Sequence, residues 1–336
     1  MANESRYANP LPGSGRSDMP KIPQGVRGAV ITGWGSALPP KVLTNKDLEG
    51  MFETSDDWII ERTGIRERHV GGTTAGLSIE SGRKALDMAG IDPTEIDALI
   101  LATTTPDRTV PATSATVQNE LGLRCGAFDI NAACSGFMYG LVNAHGLIAM
   151  GARKVLVIGT DTLARITDWT DRNTAILFAD GSGAVVLEHV EGPGQLLGWD
   201  LDADGSAERF LYTEVGGFIQ MEGKEVFRRA VRIMVDSATK SMQHAGVTAD
   251  DIKLVVPHQA NLRIIQAACD RLGIPIERAS TVLHYTGNTS AASIPLALVD
   301  ALDNGRVEQG DLVLLVGFGA GMTAASTVLQ WGGAKP

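Results

Sequence analysis

Ala89-Gly-Ile-Asp-Pro-Thr-Glu-Ile-Asp-Ala-Leu-Ile100 and Ala245-Gly-Val-Thr-Ala-Asp-Asp-Ile-Lys-Leu-Val-Val256 are one short unit written twice, 156 positions apart. In each, a small residue and a glycine close a helix, a polar loop follows, and an apolar run enters a buried strand. Further out, Val155-Leu-Val-Ile-Gly159 recurs as Val313-Leu-Leu-Val-Gly317, a shift of 158. Such all-apolar runs suit central strands covered on both faces. A shift of 154 lays Cys134 over Asn288 and Gly151 over Gly305, which predicts equivalent helix starts at Cys134 and Asn288. Ser78–Ala89, with apolar or small residues at 79, 82, 86 and 89, and Leu262–Leu272, with them at 262, 265, 269 and 272, predict amphipathic helices. Strand-helix-strand order in both halves predicts an α/β protein with mostly parallel central sheets. The two similar halves, 26–191 and 192–336, are expected to pack about a pseudo-twofold axis, so that residues at equivalent helix starts converge on one cleft.

The chain has 336 residues, 44% hydrophobic and 20% charged, enough to bury a substantial core. A formal charge of −10, with no Lys/Arg run interleaved with aromatics, argues against nucleic acid as a partner. An acidic partner would need a local basic patch. The longest apolar runs are strand-length, short of the ~18 residues of a membrane span, so no membrane partner is expected. Three cysteines (Cys125, Cys134, Cys269), no Cys-x-x-Cys spacing and no apolar leader fit a reducing cytoplasm and imply no metal site. Residues 1–25 hold Pro10, Pro12, Gly13, Gly15, Pro20, Pro23 and Gly25 without apolar periodicity, which predicts a flexible N-terminal extension.

Cys134 lies in Asp129-Ile-Asn-Ala-Ala-Cys-Ser-Gly-Phe137, where an extended segment gives way to a helical pattern. A helix start favours thiolate, which predicts a nucleophile. Val256-Pro-His258-Gln-Ala-Asn261 follows a buried strand, and His284-Tyr-Thr-Gly-Asn288-Thr-Ser290 opens the helix matched to that of Cys134. A histidine at the C-terminal end of a strand projects into the crevice where α/β sheets bind ligands. With Asn288 it would supply two neutral donors to an oxygen on which negative charge develops, while Cys134 carries an acyl group as thioester. Each residue alone has an ordinary reading, since free cysteines are mostly small core hydrophobes and most histidines after strands are structural. Cys269, on the apolar stripe of its helix, and Cys125 take that structural reading. So do His69, His145, His189, His244 and His284. Gly317-Phe-Gly-Ala-Gly321 reads either as close strand packing or as a second source of N–H for an oxyanion, and Asp180-Gly-Ser-Gly183 reads as a turn.

Arg62–His69, Ala133-Cys-Ser-Gly-Phe137, Asp171-Arg172, Phe178–Gly183, Pro257–Ile264, Gly287–Pro295 and Gly317–Gly321, in this order, closely resemble the β-ketoacyl-acyl carrier protein synthase III family of the thiolase superfamily, from about Val26 to Gln330. The resemblance implies a duplicated, thiolase-like α-β-α-β-α layered fold, a homodimer, and a condensing enzyme that initiates fatty acid synthesis without a cofactor beyond its CoA thioester substrate. Cys134 would take an acyl group from acyl-CoA. Malonyl-acyl carrier protein would then lose carbon dioxide, His258 and Asn288 holding the enolate oxygen, and the carbanion would attack the acyl-Cys. The backbone at Cys134 and Ala320 would form the oxyanion hole, with Phe318 beside the thiol. Trp58 and Arg172 would sandwich the CoA adenine, with Arg62 near its phosphates. Arg228, Arg263 and Arg271 match a carrier-docking patch, although Asp270 stands where a second basic residue is expected. Two further departures concern the substrate tunnel. The segment from Ala203-Asp-Gly-Ser206 to Glu222 is shorter than is usual for the family. Val110 is smaller than the usual residue that reaches across the dimer to close the acyl pocket, which implies room for longer or branched primers.

Other members of the superfamily fit less well. A thiolase needs a second cysteine in Gly317–Gly321, and elongating synthases place histidine at Asn288. A specialised relative that loads a polyketide starter or serves another acceptor keeps the same triad. The order Cys, His, Asn also suits a cysteine hydrolase, against which the duplication argues.

Overall fold

The computed structural model of the protein describes residues 27–332, so the extension expected over 1–25 lies outside the described residues. The first half runs β1 (Gly28–Ala37), β2 (Val42–Thr44), α1 (Asn45–Glu49), α2 (Asp56–Thr63), β3 (Glu67–His69), α3 (Thr74–Ala89), β4 (Ala98–Ala102), α4 (Thr113–Leu121), β5 (Gly126–Ile130), α5 (Gly136–Ala149), β6 (Lys154–Thr162), α6 (Arg172–Ala175) and β7 (Asp180–Val190). The second runs β8 (Leu196–Ala203), β9 (Leu211–Tyr212), β10 (Gln220–Met221), α7 (Gly223–Ala245), β11 (Ile252–Pro257), α8 (Leu262–Leu272), α9 (Leu283–Thr286), α10 (Ser293–Asp303), β12 (Leu312–Gly319) and β13 (Thr323–Gln330).

The repeated unit that opens the sequence is the end of α3 with β4, and the end of α7 with β11. Both helices stop at a left-handed glycine, Gly90 (φ 68°) and Gly246 (φ 69°), a conformation in which any Cβ is strained. The predicted Leu262–Leu272 helix is α8, and the Ser78–Ala89 helix starts four residues earlier, where Thr73 caps it by accepting the Gly76 N–H. Asp180-Gly-Ser-Gly183 is not a turn but the start of the buried strand β7. Its glycines admit a neighbour: a Cβ on Gly183 would lie 2.6 Å from the Pro295 side chain of α10.

Two large sheets result, ordered β1-β7-β6-β4-β5 and β11-β12-β13-β8. They are mixed rather than mostly parallel. The β4–β5, β4–β6 and β11–β12 pairings are parallel, whereas β1–β7, β6–β7, β12–β13 and β8–β13 are antiparallel. The physical reason is that the parallel pairs are joined through crossover helices, while β13 returns from β12 through the short turn Ala320–Met322 and β7 returns from β6 through residues 163–179, which hold only short helical turns. Where β5 flanks β4 in the first sheet, the second sheet keeps only a parallel bridge between Val255 and Ala279.

Alternation along the strands builds the layers. Leu99, Leu101, Leu156 and Ile158 face α3 and α4 on one outer side. Ile100, Val155 and Val157 face inward onto Phe137, Leu141 and Ile148 of α5 and Ile294 and Leu298 of α10. Those helices meet Leu254, Val256, Val313 and Leu315 of the second sheet. The opposite face of that sheet, with Val255, Leu314 and Val316, is covered by α7 and α8. The fold is thus the thiolase-like α-β-α-β-α stack, with α5 and α10 as a buried central layer.

The duplication is offset differently from the 154 expected at the helix starts. Ala133 (φ 48°) and Ser290 (φ 50°), the non-glycine residues with positive φ among the described residues, occupy matching turns just before α5 and α10. Their shift is 157, so Cys134 corresponds to Ala291 and not to Asn288. The shift of 154 holds only at the far ends of these helices, because α5 has 14 residues and α10 has 11.

Candidate active site

Three turns from the two halves converge at one cavity of about 890 Å3, whose wall includes Asn131–Cys134, Phe178, Ser290, Ala320 and Gly321. Cys134 sits in the short turn Ala133–Ser135, and the turn before α10 abuts it. Gly319, at the end of β12, comes so close that a Cβ there would lie 2.7 Å from the Cys134 nitrogen. Gly159 makes the same kind of approach on β6: its Cβ would meet the Ala291 oxygen at 2.4 Å. Glycine at these two strand positions is therefore what lets the two turns and both sheets close on one point. Of the two readings of Gly317–Gly321, the close-packing one describes Gly317 and Gly319, while Ala320 and Gly321 face the cavity.

His258 follows Pro257, the last residue of β11, and its N–H donates to the Val316 carbonyl at 2.8 Å. Its ring packs edge-on to Phe318, centroids 5.4 Å apart, and its Nδ1 has no hydrogen-bond partner among the described residues. Asn288 is strapped to the first half, donating its N–H to the Leu177 carbonyl and accepting the Ala179 N–H, both at 2.9 Å. Its Oδ1 accepts the Ser290 N–H at 3.0 Å, which leaves the Nδ2 group as the outward donor. Ser290 and Cys134 stand side by side on the cavity wall, where their two turns abut. Cys134, Asn288, His258 and Phe318 are thereby brought into one contiguous cluster through Ser290 and Gly319, with His258 and Asn288 buried behind the cavity wall.

The electrostatics correct one expectation. Burial pushes the Cys134 thiol up to about 12, the neighbouring Ser290 side chain opposes this, and the Asp161 carboxylate adds to it, so the resting group is a thiol and not the thiolate expected at a helix start. The cause is that Cys134 lies in a desolvated turn ahead of α5, whose own first residues Gly136, Phe137 and Met138 are also buried. Burial pushes the His258 imidazole down to about 3, which keeps it neutral.

Asp161 and Ser290 were given no role from sequence. Asp161 Oδ1 accepts from the N–H of Thr104 and Thr105 and the hydroxyls of Thr103, Thr104 and Thr105, while its Oδ2 accepts the Ala291 N–H at 3.0 Å. It joins the loop after β4 to the turn carrying Ser290. The available signal was an acidic residue closing an otherwise apolar strand, at the end where α/β sheets place their sites.

Arg62 and Arg172, which do not line this cavity, each place a guanidinium 4.5 Å from the Trp58 ring centroid, so the gap assigned by resemblance to an adenine is closed by direct stacking. Arg172 also donates to the Glu53 carbonyl. The supports of this lobe converge on Arg68, which is fully buried and has no acidic partner among the described residues. Arg68 donates to the Ile176 carbonyl (2.8 Å), behind α6, and to Asn45 Oδ1 (2.9 Å), and Asn45 donates to Asp56 in the first turn of α2. On the outer face of the second half, Arg228 pairs with Glu225 (2.6 Å) and Arg263 lies over Phe227, with Arg271 two turns further along α8 beside the exposed Asp270. The short segment after Ala203 folds as the β9–β10 hairpin, and its tip, Thr213–Gly217, lines the cavity. Val110 is 79% exposed and does not line this chain's cavity. Cys269 and His145 lie outside the cluster, and Cys125 sits just ahead of β5.

Known proteins match along nearly the whole chain. The 3-oxoacyl-[acyl-carrier-protein] synthase III model matches residues 128–205, and its C-terminal counterpart matches 242–331. The β-ketoacyl-[acyl-carrier-protein] synthase III of Roseiflexus castenholzii is 50% identical over 90% of this chain and 98% of its own. The crystal structure of 3-oxoacyl-[acyl-carrier-protein] synthase III from Aquifex aeolicus superposes with TM-score 0.89 at 44% identity, over 90% of this chain and all of that one. The priming β-ketosynthase of the R1128 polyketide pathway superposes with TM-score 0.87 at 36% identity, over 93% of this chain and 98% of that one.

A duplicated thiolase-like fold with these relatives defines an acyl-transferring condensing enzyme, of the kind that initiates fatty acid synthesis. Within that class the chain belongs to the β-ketoacyl-[acyl-carrier-protein] synthase III family.

Proposed function

We propose that Cys134 is the acyl carrier in a two-step condensation between an acyl-CoA and malonyl-acyl carrier protein. The observation that carries this reading is the convergence of the Cys134, Ser290 and Gly319–Ala320 turns on one cavity from two duplicated halves. In the first step Cys134 Sγ attacks the thioester carbonyl, the bond to the CoA sulfur breaks, and the thiol proton leaves with CoA. In the second, the malonyl carboxylate departs as carbon dioxide. The enolate attacks the acyl-Cys carbonyl, the C–S bond breaks, and Cys134 regains a proton from solvent. The backbone at Cys134 and Ala320 serves the tetrahedral oxyanion, where losing one donor typically costs ~10²–10³ in rate.

The protonation states support the division of labour. A neutral imidazole and a carboxamide can donate to an enolate oxygen without a charge change. Against a cysteine hydrolase stands the fold shared along nearly the whole chain with synthase III relatives. Acyl-CoA would enter past Trp58, Arg62 and Arg172. The carrier protein would dock on Arg228, Arg263 and Arg271, which gives an acidic protein the local basic patch needed for an acidic partner. Val110, exposed and off this chain's cavity, suits a role across a homodimer. A cytoplasmic setting accords with the free cysteines and with no described helix being long and apolar enough to cross a membrane.

Intact-protein mass spectrometry after exposure to a series of acyl-CoAs, with peptide mapping, tests this. An acyl adduct on Cys134, turned over only with malonyl-acyl carrier protein, supports it. Capture by Cys134→Ala would overturn it. The likeness to the priming polyketide synthase favours one second reading, starter loading for another acceptor, which the same adducts assayed with alternative carriers would separate.

A further inference from the structure

Ser290 lies between the thiol and the carboxamide and holds an unfavourable backbone to be there. Its φ is 50°, a conformation that costs any residue with a Cβ and that glycine adopts freely. Two bonds fix it: its N–H donates to Asn288 Oδ1 (3.0 Å), and the next N–H, of Ala291, donates to Asp161 Oδ2 (3.0 Å), while its side chain stands beside Cys134 where the two turns abut. Asp161 in turn is locked by the hydroxyls of Thr103, Thr104 and Thr105. The same turn lines the cavity beside Cys134.

We propose that Ser290 is a further catalytic residue, whose hydroxyl donates to Cys134 Sγ as the thiol gives up its proton, while its backbone N–H aims the Asn288 carboxamide, so that one residue serves the two half-reactions through different atoms. The proton balance is that of acyl transfer itself: the Cys134 proton ends on the CoA sulfur, and the Ser290 proton stays on its oxygen throughout. The hydroxyl is needed because burial and the Asp161 carboxylate both disfavour charge on the sulfur, so a donor at the sulfur acts mainly where that charge appears. The inference rests on Cys134 being the acylated residue.

Ser290→Ala removes the hydroxyl and keeps the N–H that holds Asn288. Ser290→Gly does the same and also relieves the backbone. Three rates are read at one pH: alkylation of Cys134 by iodoacetamide, capture of acetyl from acetyl-CoA, and carbon dioxide release from malonyl-acyl carrier protein. Losing a hydrogen bond to a charged sulfur lowers the thiolate fraction by ~10-fold or more. A less acidic thiol regains ~3-fold in nucleophilicity, so alkylation falls ~3-fold in both variants. Acetyl capture falls at least ~10-fold, since the donor also acts as charge develops in the transfer. Carbon dioxide release falls far less. Wild-type alkylation and capture in either variant would overturn the proposal, as would restoration of capture by glycine, which would reduce the effect to backbone strain. Equal losses in capture and decarboxylation would overturn the division between atoms. Thermal unfolding checks that each variant is folded, and if alanine fails, glycine carries the test. Acyl capture by Cys134→Ala would instead sink the reading beneath it, a result distinguishable from any of these.

Discussion

Gly319→Ala is the sharpest perturbation of the way this site is assembled. The added Cβ would stand 2.7 Å from the Cys134 nitrogen, 2.8 Å from Thr323 Oγ1 and 2.9 Å from the Ala133 Cβ. None of these is the end of a long side chain, so the strain cannot be shed by a rotamer change. Restoring ordinary contact means moving the Cys134 turn or the end of β12 by about 0.7 Å, from 2.7 Å to 3.4 Å. Overpacking of this size costs ~1–3 kcal/mol of stability. Displacement of a reacting atom by close to 1 Å can cost ~10²-fold in rate, so acyl capture should fall by more than the stability change implies. The assay is the rate of acyl-enzyme formation by intact mass alongside urea unfolding. Gly146→Ala is the control: it lies on α5 with nothing within 4 Å of its Cβ and should stabilise by ~0.5–1 kcal/mol with capture unchanged. If Gly319→Ala captured acyl groups at the wild-type rate with wild-type stability, close approach of β12 would not be what positions the thiol.

Three other outcomes are expected. Arg68→Met should cost about 2–4 kcal/mol in urea unfolding by leaving the Ile176 carbonyl and Asn45 Oδ1 unpaired, and should raise KM for acyl-CoA more than it lowers kcat; a change under about 0.5 kcal/mol would remove Arg68 as the support of the Trp58 lobe. Burial raises the Asp180 carboxyl to about 6, so its contribution to stability is fully present below the ordinary carboxylate range and is lost as pH rises through about 6. The Tm advantage of wild type over Asp180→Asn should therefore be larger at pH 5 than at pH 7.5, and a constant difference would contradict this. Because His258 is held neutral with its pKa near 3, carbon dioxide release should show no imidazole inflection between pH 5.5 and 8; a break near 6.5 that Asn288→Ala retained and His258→Ala abolished would mean the ring titrates normally.

The layered architecture was legible in the chain because its signals are local and periodic. Ala89–Ile100 against Ala245–Val256 and the two apolar runs at Val155 and Val313 specify helix ends and buried strands, and repetition of such units forces two similar halves. The candidates Cys134, His258 and Asn288 were legible for a related reason: each follows a strand or precedes a helix, where a chain of this class puts its chemistry. Strand direction at β7 and β13, and the register between halves, were not. A three-residue difference in length between α5 and α10 shifts the alignment from 157 to 154, and only the matching φ values of Ala133 and Ser290 reveal where it shifts.

Acidity was likewise decided in three dimensions. A helix start considered alone favours thiolate, but desolvation depends on everything packed around the sulfur, and that packing brings in β12, the Ser290 turn and Asp161 from as far as 185 residues away, as at Gly319. The roles of Ser290, Asp161 and Arg68 arise the same way, since a hydrogen bond between distant residues leaves no local pattern. Composition and periodicity thus set which residues are buried and in what elements, because burial is a property each segment announces for itself. Which buried polar groups meet, and what charge they carry, belongs to the folded chain alone, because both depend on neighbours the sequence does not place side by side.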